Sequence, residues 1–352
     1  MQEASQNAET PDEPGETVAQ FERPKGWRVR IADILYASPA IVPLIVLLAA
    51  VLIFGVILGE RFFSPFALTL ILQQVAIIGI VACAQSLVIL TAGIDLSVGA
   101  IMILSSVIMG KFTFDLGLPP ALGVLCGLLC GLGIGAISGY LVAFWKLPPF
   151  IVTLGMWQIV LAANFLYSGS EVIRSQDIAN EAPLLQFFGR TIEIGGAVFT
   201  YGVILLLFLV AILSYALSQT AWGRHVYAVG DDPEAAALSG VNVRGTLISV
   251  YALGGLICAF AGWALIGRIG SVSPQAGQLA NIESITAVVI GGISLFGGRG
   301  AIAGTLFGAL IVGVFTLGLR LMGADVQWTY LLIGVLIIAA VTVDQRIRRA
   351  SL

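Results

Sequence analysis

An all-α, polytopic membrane protein with about ten crossing segments, some short or broken, arranged as two related halves, is the architecture this sequence predicts. Three observations predict it. Hydrophobic residues make up 58% of the chain and charged residues 11%, against about 25% charged in an ordinary soluble domain. Apolar runs recur at about the 20 residues a helix needs to cross the hydrocarbon core. The pattern [AG]-G-I-[DS]-L-x-x-G occurs twice, as AGIDLSVG at 92–99 and GGISLFGG at 291–298. Each copy interrupts apolar sequence, and a duplicated Gly-rich break of this kind points to a transport pathway between two related halves.

Taken in order, residues 1–37 are polar, carry Pro11, Pro14 and Pro24, and hold Glu3, Glu9, Asp12, Glu13, Glu16 and Glu22. They lack the basic-then-apolar pattern of a cleaved leader and are expected to form a disordered cytoplasmic tail. The membrane domain runs over 38–345. Full-length crossings are expected at 40–59, 66–90, 121–144, 199–218, 246–267, 301–322 and 328–343, with shorter or broken ones at 97–114, 150–168 and 284–296. A basic cytoplasmic end follows at 346–352.

Orientation is read from Lys and Arg in short loops. With the amino terminus inside, Arg23, Lys25, Arg28, Arg30, Lys146, Arg224, Arg244, Arg299, Arg346, Arg348 and Arg349 are cytoplasmic, eleven of the 17 basic residues. Both termini are therefore expected in the cytoplasm, and ten full crossings would put both Gly-rich breaks on that side. The small net charge of −3 gives nucleic-acid binding no support.

Gly123, Gly127, Gly131, Gly135 and Gly139 recur every four residues, so one helix face is nearly bare backbone. Such a ridge lets a neighbouring helix approach closely where lipid supplies no hydrophobic drive. Gly300, Gly304 and Gly308 repeat the device. Gly93, Gly99, Gly292, Gly297 and Gly298 mark the breaks themselves. Cys83, Cys126, Cys130 and Cys258 lie in apolar runs and read as packing residues; with His225 in a loop, no metal site is expected.

The one sizeable cytoplasmic loop, 219–245, should hold one short helix. Asp232 suits its N-cap, Pro233 its first position, Glu234 its dipole and Gly240 its C′ stop. A helix this short is marginal alone, so it docks either on the protein's own membrane face or into a partner.

LTAGIDLSVGA (90–100), LPPFIVTLGM (147–156), VGDDPEAAALSGVNV (229–243) and ITAVVIGGISLFGGRGAIAGTLFGALIVG (285–313) together resemble the permease subunit of bacterial sugar ATP-binding-cassette importers of the ribose, xylose, galactose and fructose type. The resemblance covers about 38–345, departing in the acidic tail and in the Asp231–Asp232 pair. It implies an inner-membrane homodimer in the lipid bilayer, fed monosaccharide by a periplasmic sugar-binding protein. A cytoplasmic ATPase, the user of ATP and Mg, would drive it. It also implies that Glu234, Ala235, Ala236, Leu238, Ser239 and Gly240, with Asp232 and Pro233 before them, engage that ATPase. The chain binds no cofactor in this reading, and no G-x-x-x-x-G-K-[ST] phosphate loop occurs in it, so it is not expected to hydrolyse ATP.

A carboxylate beside membrane spans is a functional candidate by default. Asp95 either caps the helix starting at Val98, a role open to Ser97 as well, or contacts sugar or a gate. Gln73, Gln85, Thr153, Trp157, Gln158, Asn164 and Ser294 are further groups that could line a pathway, with interhelical hydrogen bonding as the alternative for each. No second membrane carboxylate is expected, which speaks against a proton relay and so against the alternative of a gradient-driven secondary sugar transporter. The loop at 169–198, with Glu171, Arg174, Asp177, Glu181, Arg190 and Glu193, is expected to face the periplasm and to receive the binding protein.

Overall fold

The computed structural model describes residues 40–350; the expected tail at 1–37 lies outside them. The helices are Ile41–Leu58 (α1), Pro65–Leu90 (α2), Val98–Phe114 (α3), Pro120–Phe144 (α4), Pro149–Ser168 (α5) and Ser175–Glu181 (α6). After a 3₁₀ segment at Pro183–Gly189 come strands Thr191–Ile194 (β1) and Ala197–Thr200 (β2). The rest are Tyr201–Gln219 (α7), Ala221–Asp231 (α8), Pro233–Leu238 (α9), Val243–Ile269 (α10), Ala280–Ile290 (α11), Ile302–Leu321 (α12) and Val326–Ala350 (α13).

Among the described residues, seven helices have the length and composition to cross a membrane: α1, α2, α4, α5, α7, α10 and α12. The apolar helices Val98–Phe114 and Ala280–Ile290 and the stretch Gln327–Thr342 are shorter. Four expectations change. The full-length crossing expected at 328–343 has only the shorter apolar stretch Gln327–Thr342. The segment expected to be broken at 150–168 is a helix of crossing length. The one expected at 284–296 starts at Ala280 and ends at Ile290. The chain is also not wholly helical: β1 and β2 form an antiparallel hairpin, Thr191 opposite Thr200, turned by Gly195 and Gly196 at positive φ.

Helix starts follow local chemistry. Pro occupies the first position of α2, α4 and α5, where its missing N–H costs nothing, and Ser64 Oγ accepts from Ala67 N–H. At the other end Gly169 and Gly270 stop α5 and α10 in the left-handed region.

Helix α10 lies at the centre, against α2, α3 and α4, with Tyr251, Ile257, Cys258 and Ala261 buried. From Val75 to Leu90, α2 is buried at every position. By contrast Leu52, Val56, Leu166 and Phe208 on α1, α5 and α7 are exposed, as lipid-facing residues should be. The Gly ridge of α4 explains the tightest packing. A Cβ at Gly131 would strike the Gly255 carbonyl of α10, one at Gly135 the Tyr251 carbonyl, and one at Gly127 the Ser105 carbonyl of α3. Backbones thus meet directly, and dispersion between them supplies what hydrophobicity cannot in lipid. The second ridge begins at Gly304, which faces Gly291, with Gly308 against the Ala287 carbonyl; Gly300, at φ +133°, belongs to the preceding break.

Two crossings are broken, in opposite senses. After α2 ends, residues 91–97 double back along it, so that Asp95 lies beside Gln85 and α3 starts inside the bundle. Helix α3 ends where Lys111 pairs with Glu171 and Asp115. At that same end Val272 pairs with Ile173, and irregular residues 271–279 run inward to the start of α11. The first turns of α3 and α11 meet inside the bundle, and the two helices run away from each other.

Candidate functional site

Three constellations are built on these breaks. The first is where α2 and α11 stop. The N–H groups of Ala92 and Gly93 donate to the carbonyls of Ile89 and Val88, and those of Gly292 and Ile293 to Val289 and Val288. Both are Schellman stops, with Ala92 (φ +59°) and Gly292 (φ +80°) in the left-handed position. The repeated motif is thus a repeated helix terminator, offset by one residue between copies. The two stops lie side by side: Gly298 N–H donates to the Leu90 carbonyl at 3.0 Å, and a Cβ at Gly297 would meet Ala92.

Helix α8 seats on both stops. It was not expected: the loop at 219–245 holds two helices rather than one. Thr220 caps α8 by accepting from Gly223 N–H, and its apolar face, Val226, Val229 and Gly230, is buried. Gly230 packs so closely on the Leu90 carbonyl and Gly298 N that no side chain would fit. Tyr227 donates from its hydroxyl to the Gly300 carbonyl at 2.8 Å; burial raises its pKa, keeping the phenol a neutral donor.

Helix α9 follows directly. Asp232 Oδ1 accepts from Glu234 N–H at 2.9 Å and Ala235 N–H at 3.0 Å, Pro233 holds the first position, and Gly240 closes the far end at φ +86°. Ala236 packs inward. Glu234, Ala235 and Ser239 face out, and Leu238 is 91% exposed, an apolar side chain with none of the described residues over it.

The second constellation surrounds Asp95, which is buried at 4% exposure. The Ser97 N–H and hydroxyl donate to Asp95 Oδ1 at 2.7 and 2.6 Å. Neither residue caps α3. That role falls to Asn281, whose Oδ1 accepts from Gly99 N–H at 2.5 Å, with Gly99 leaving no room for a Cβ between them. Gln85 clamps the break by donating its amide to the Asp95 carbonyl (2.9 Å) and accepting from the Asp95 N–H (3.2 Å). Thr153 Oγ1 donates to the Ile94 carbonyl at 2.9 Å. Gly93 packs against the Tyr251 hydroxyl.

The remaining expected pathway residues scatter. Asn164 donates to the Pro274 carbonyl at 2.9 Å, holding segment 271–279. Ser294 is buried in the second break. Gln73 is half-buried, Trp157 packs its ring on the core, and Gln158 faces outward.

The third constellation is a cavity at the start of α11, lined by Gln74, Arg268, Gln275, Gln278 and Glu283 among others. Arg268 Nη2 donates to Gln74 Oε1 at 2.8 Å. Glu283 corrects the expectation of a single membrane carboxylate. It stands in the first turn of α11, one residue before the expected start of that crossing.

The family profile described as the branched-chain amino acid transport system permease component matches residues 67–341. The chain is similar to the fructose import permease protein FrcC of Rhizobium meliloti, 71% identical over 322 residues, covering 92% of this chain and 89% of that one. It is 36% identical over 290 residues to the ribose import permease protein RbsC of Bacillus subtilis (strain 168), covering 82% and 88%. It is 32% identical over 334 residues to the xylose transport system permease protein XylH of Escherichia coli (strain K12), covering 80% and 85%. No solved structure matches.

Proposed function

The chain belongs to the family of branched-chain amino acid transport system permease components, together with sugar import permeases, and on that premise we propose that it forms the translocation pathway of an ATP-driven monosaccharide importer. The similarity to a fructose import permease makes fructose the sugar to test first. In this reading the protein lies in the inner membrane as a homodimer with both termini cytoplasmic. The segment around α6 and the β hairpin receives a periplasmic sugar-binding protein, whose encounter its exposed charges would steer.

The observation that carries the proposal is the α8–α9 unit. Helix α9 is capped at both ends, presents Leu238 to solvent, and is joined without a spacer to α8, which rests on both helix stops. A cytoplasmic ATPase gripping α9 would push directly on the junction of the two broken crossings. ATP and Mg belong to that partner, and alternating access follows from its opening and closing.

Reconstitution tests this. Proteoliposomes holding the permease, the ATPase and the binding protein are expected to concentrate fructose only with ATP. Concentrative uptake by the permease alone in an ion gradient would overturn the proposal in favour of a secondary transporter, a reading to which Glu283 restores an intramembrane carboxylate.

A further inference from the structure

The cavity at the start of α11 measures about 490 Å³, within the range of small-molecule sites. Helix α2, the end of α10, segment 275–280 and the first turn of α11 line it, and it opens where Arg268, Gln275 and Gln278 are exposed. Its lining is mixed, with Ile77, Ile78 and Leu265 beside Gln74, Arg268, Gln278 and Glu283. A sugar is mixed in the same way, with C–H faces that prefer apolar contacts and hydroxyls that each donate and accept.

The charges narrow the ligand further. Arg268 and Glu283 lie within electrostatic reach of one another, so the walls carry one charge of each sign. Arg320 of α12 adds to the field at Arg268 from outside the lining. A guanidinium supplies only donors, a carboxylate only acceptors and the three glutamine amides both, so a run of vicinal hydroxyls can satisfy them. A phosphate or carboxylate group brought inside would meet Glu283 as well as Arg268, so the lining offers an anion no net charge to offset the hydration it loses.

We propose that this cavity is the station of the pathway that contacts the monosaccharide, and that it accepts neutral sugars while rejecting sugar phosphates and sugar acids. The inference rests on the importer reading and adds a place and a charge rule to it. Asp95, by contrast, holds Ser97 through that residue's backbone N–H and hydroxyl.

The test has two arms. In the first, Gln278→Cys in the reconstituted permease is labelled with a water-soluble maleimide, against the native cysteines as background. Saturating fructose is expected to slow labelling several-fold while fructose 6-phosphate does not. No protection by fructose, or equal protection by both, overturns the proposal. In the second, Glu283→Ala, which removes the acceptor altogether, is expected in the assembled complex to reduce fructose uptake about tenfold, as losing one hydrogen bond to a charged group does, while ATP hydrolysis stimulated by the binding protein continues. Uptake at the unmodified rate also overturns it. If instead the unmodified complex fails to import any sugar with ATP, the importer reading falls, and the labelling arm still reports on the cavity.

Discussion

Asp95 Oδ1 takes two hydrogen bonds from Ser97, one from its backbone and one from its hydroxyl, and both need an acceptor rather than a charge. Asparagine supplies that acceptor, so Asp95→Asn is expected to keep assembly and uptake near the unmodified level. Asp95→Ala leaves a buried amide without its partner, at a cost of about 1–3 kcal/mol, and should lower the melting temperature in detergent. An Asp95→Asn protein that assembles but does not transport would show that the charge itself is needed. The left-handed residues at the helix stops give a second pair of expectations. Ala92 sits at φ +59°, where a side chain costs about 1 kcal/mol, so Ala92→Gly should be neutral or stabilising. Gly297→Ala should destabilise by more than that, because its Cβ would meet both Ala92 and the Gly230 carbonyl at φ +82°. Thermal melts of the two variants should move in different directions.

At the level of elements, α9 presents a short helix to a partner, and its capping and its contact can be separated. Asp232→Ala removes the acceptor for two amides and should cost about 1 kcal/mol, fraying α9, while Asp232→Asn should not. Leu238→Ser leaves the fold untouched, since the side chain touches little of this chain, but should weaken co-purification of the ATPase and uncouple hydrolysis from uptake. Normal coupling in that variant would move the contact elsewhere. The contrast between α9 and α8 shows what the sequence makes legible. Asp-Pro-Glu at one end and Gly240 at the other state α9 locally, in residues that touch each other. Helix α8 also carries a local signal, Thr220 as cap before Trp222, Val226 and Val229 at helical spacing, but Arg224 and His225 within that stripe make the stretch read as a charged loop. The β hairpin did carry a local signal, Gly195-Gly196 between β-branched runs, across the end of the loop expected at 169–198 and the start of the span expected at 199–218. Glu283 was missed for a simpler reason: apolar periodicity marks where a span becomes continuous, and α11 begins four residues earlier, in polar sequence.

Across the whole molecule, the two broken crossings share one junction, and the duplicated motif marks only part of it. Gly99 was legible as a break residue, but its partner Asn281 lies 182 residues away, and no spacing rule links a side chain to a backbone amide at that separation. The bond matters because α3 and α11 start together and diverge toward opposite ends of the bundle. Each first turn leaves amides without helical partners, and in the bundle interior those amides need acceptors from other elements. Asn281, 6% exposed, supplies one to α3 and thereby ties the crossing that follows the first stop to the crossing that leads into the second. A push on α8 that shifts both stops would reach this bond through α11. Asn281→Ala should therefore lower stability by about 1–3 kcal/mol, the cost of a buried amide left unpaired, and should reduce fructose uptake more than ATP hydrolysis. Asn281→Asp keeps an acceptor oxygen at the same place and should restore the melting temperature in large part. Equal melting temperatures and equal uptake for the alanine variant would mean that the two helix starts are held by their Gly-lined packing alone, and that motion passes between the halves by another route.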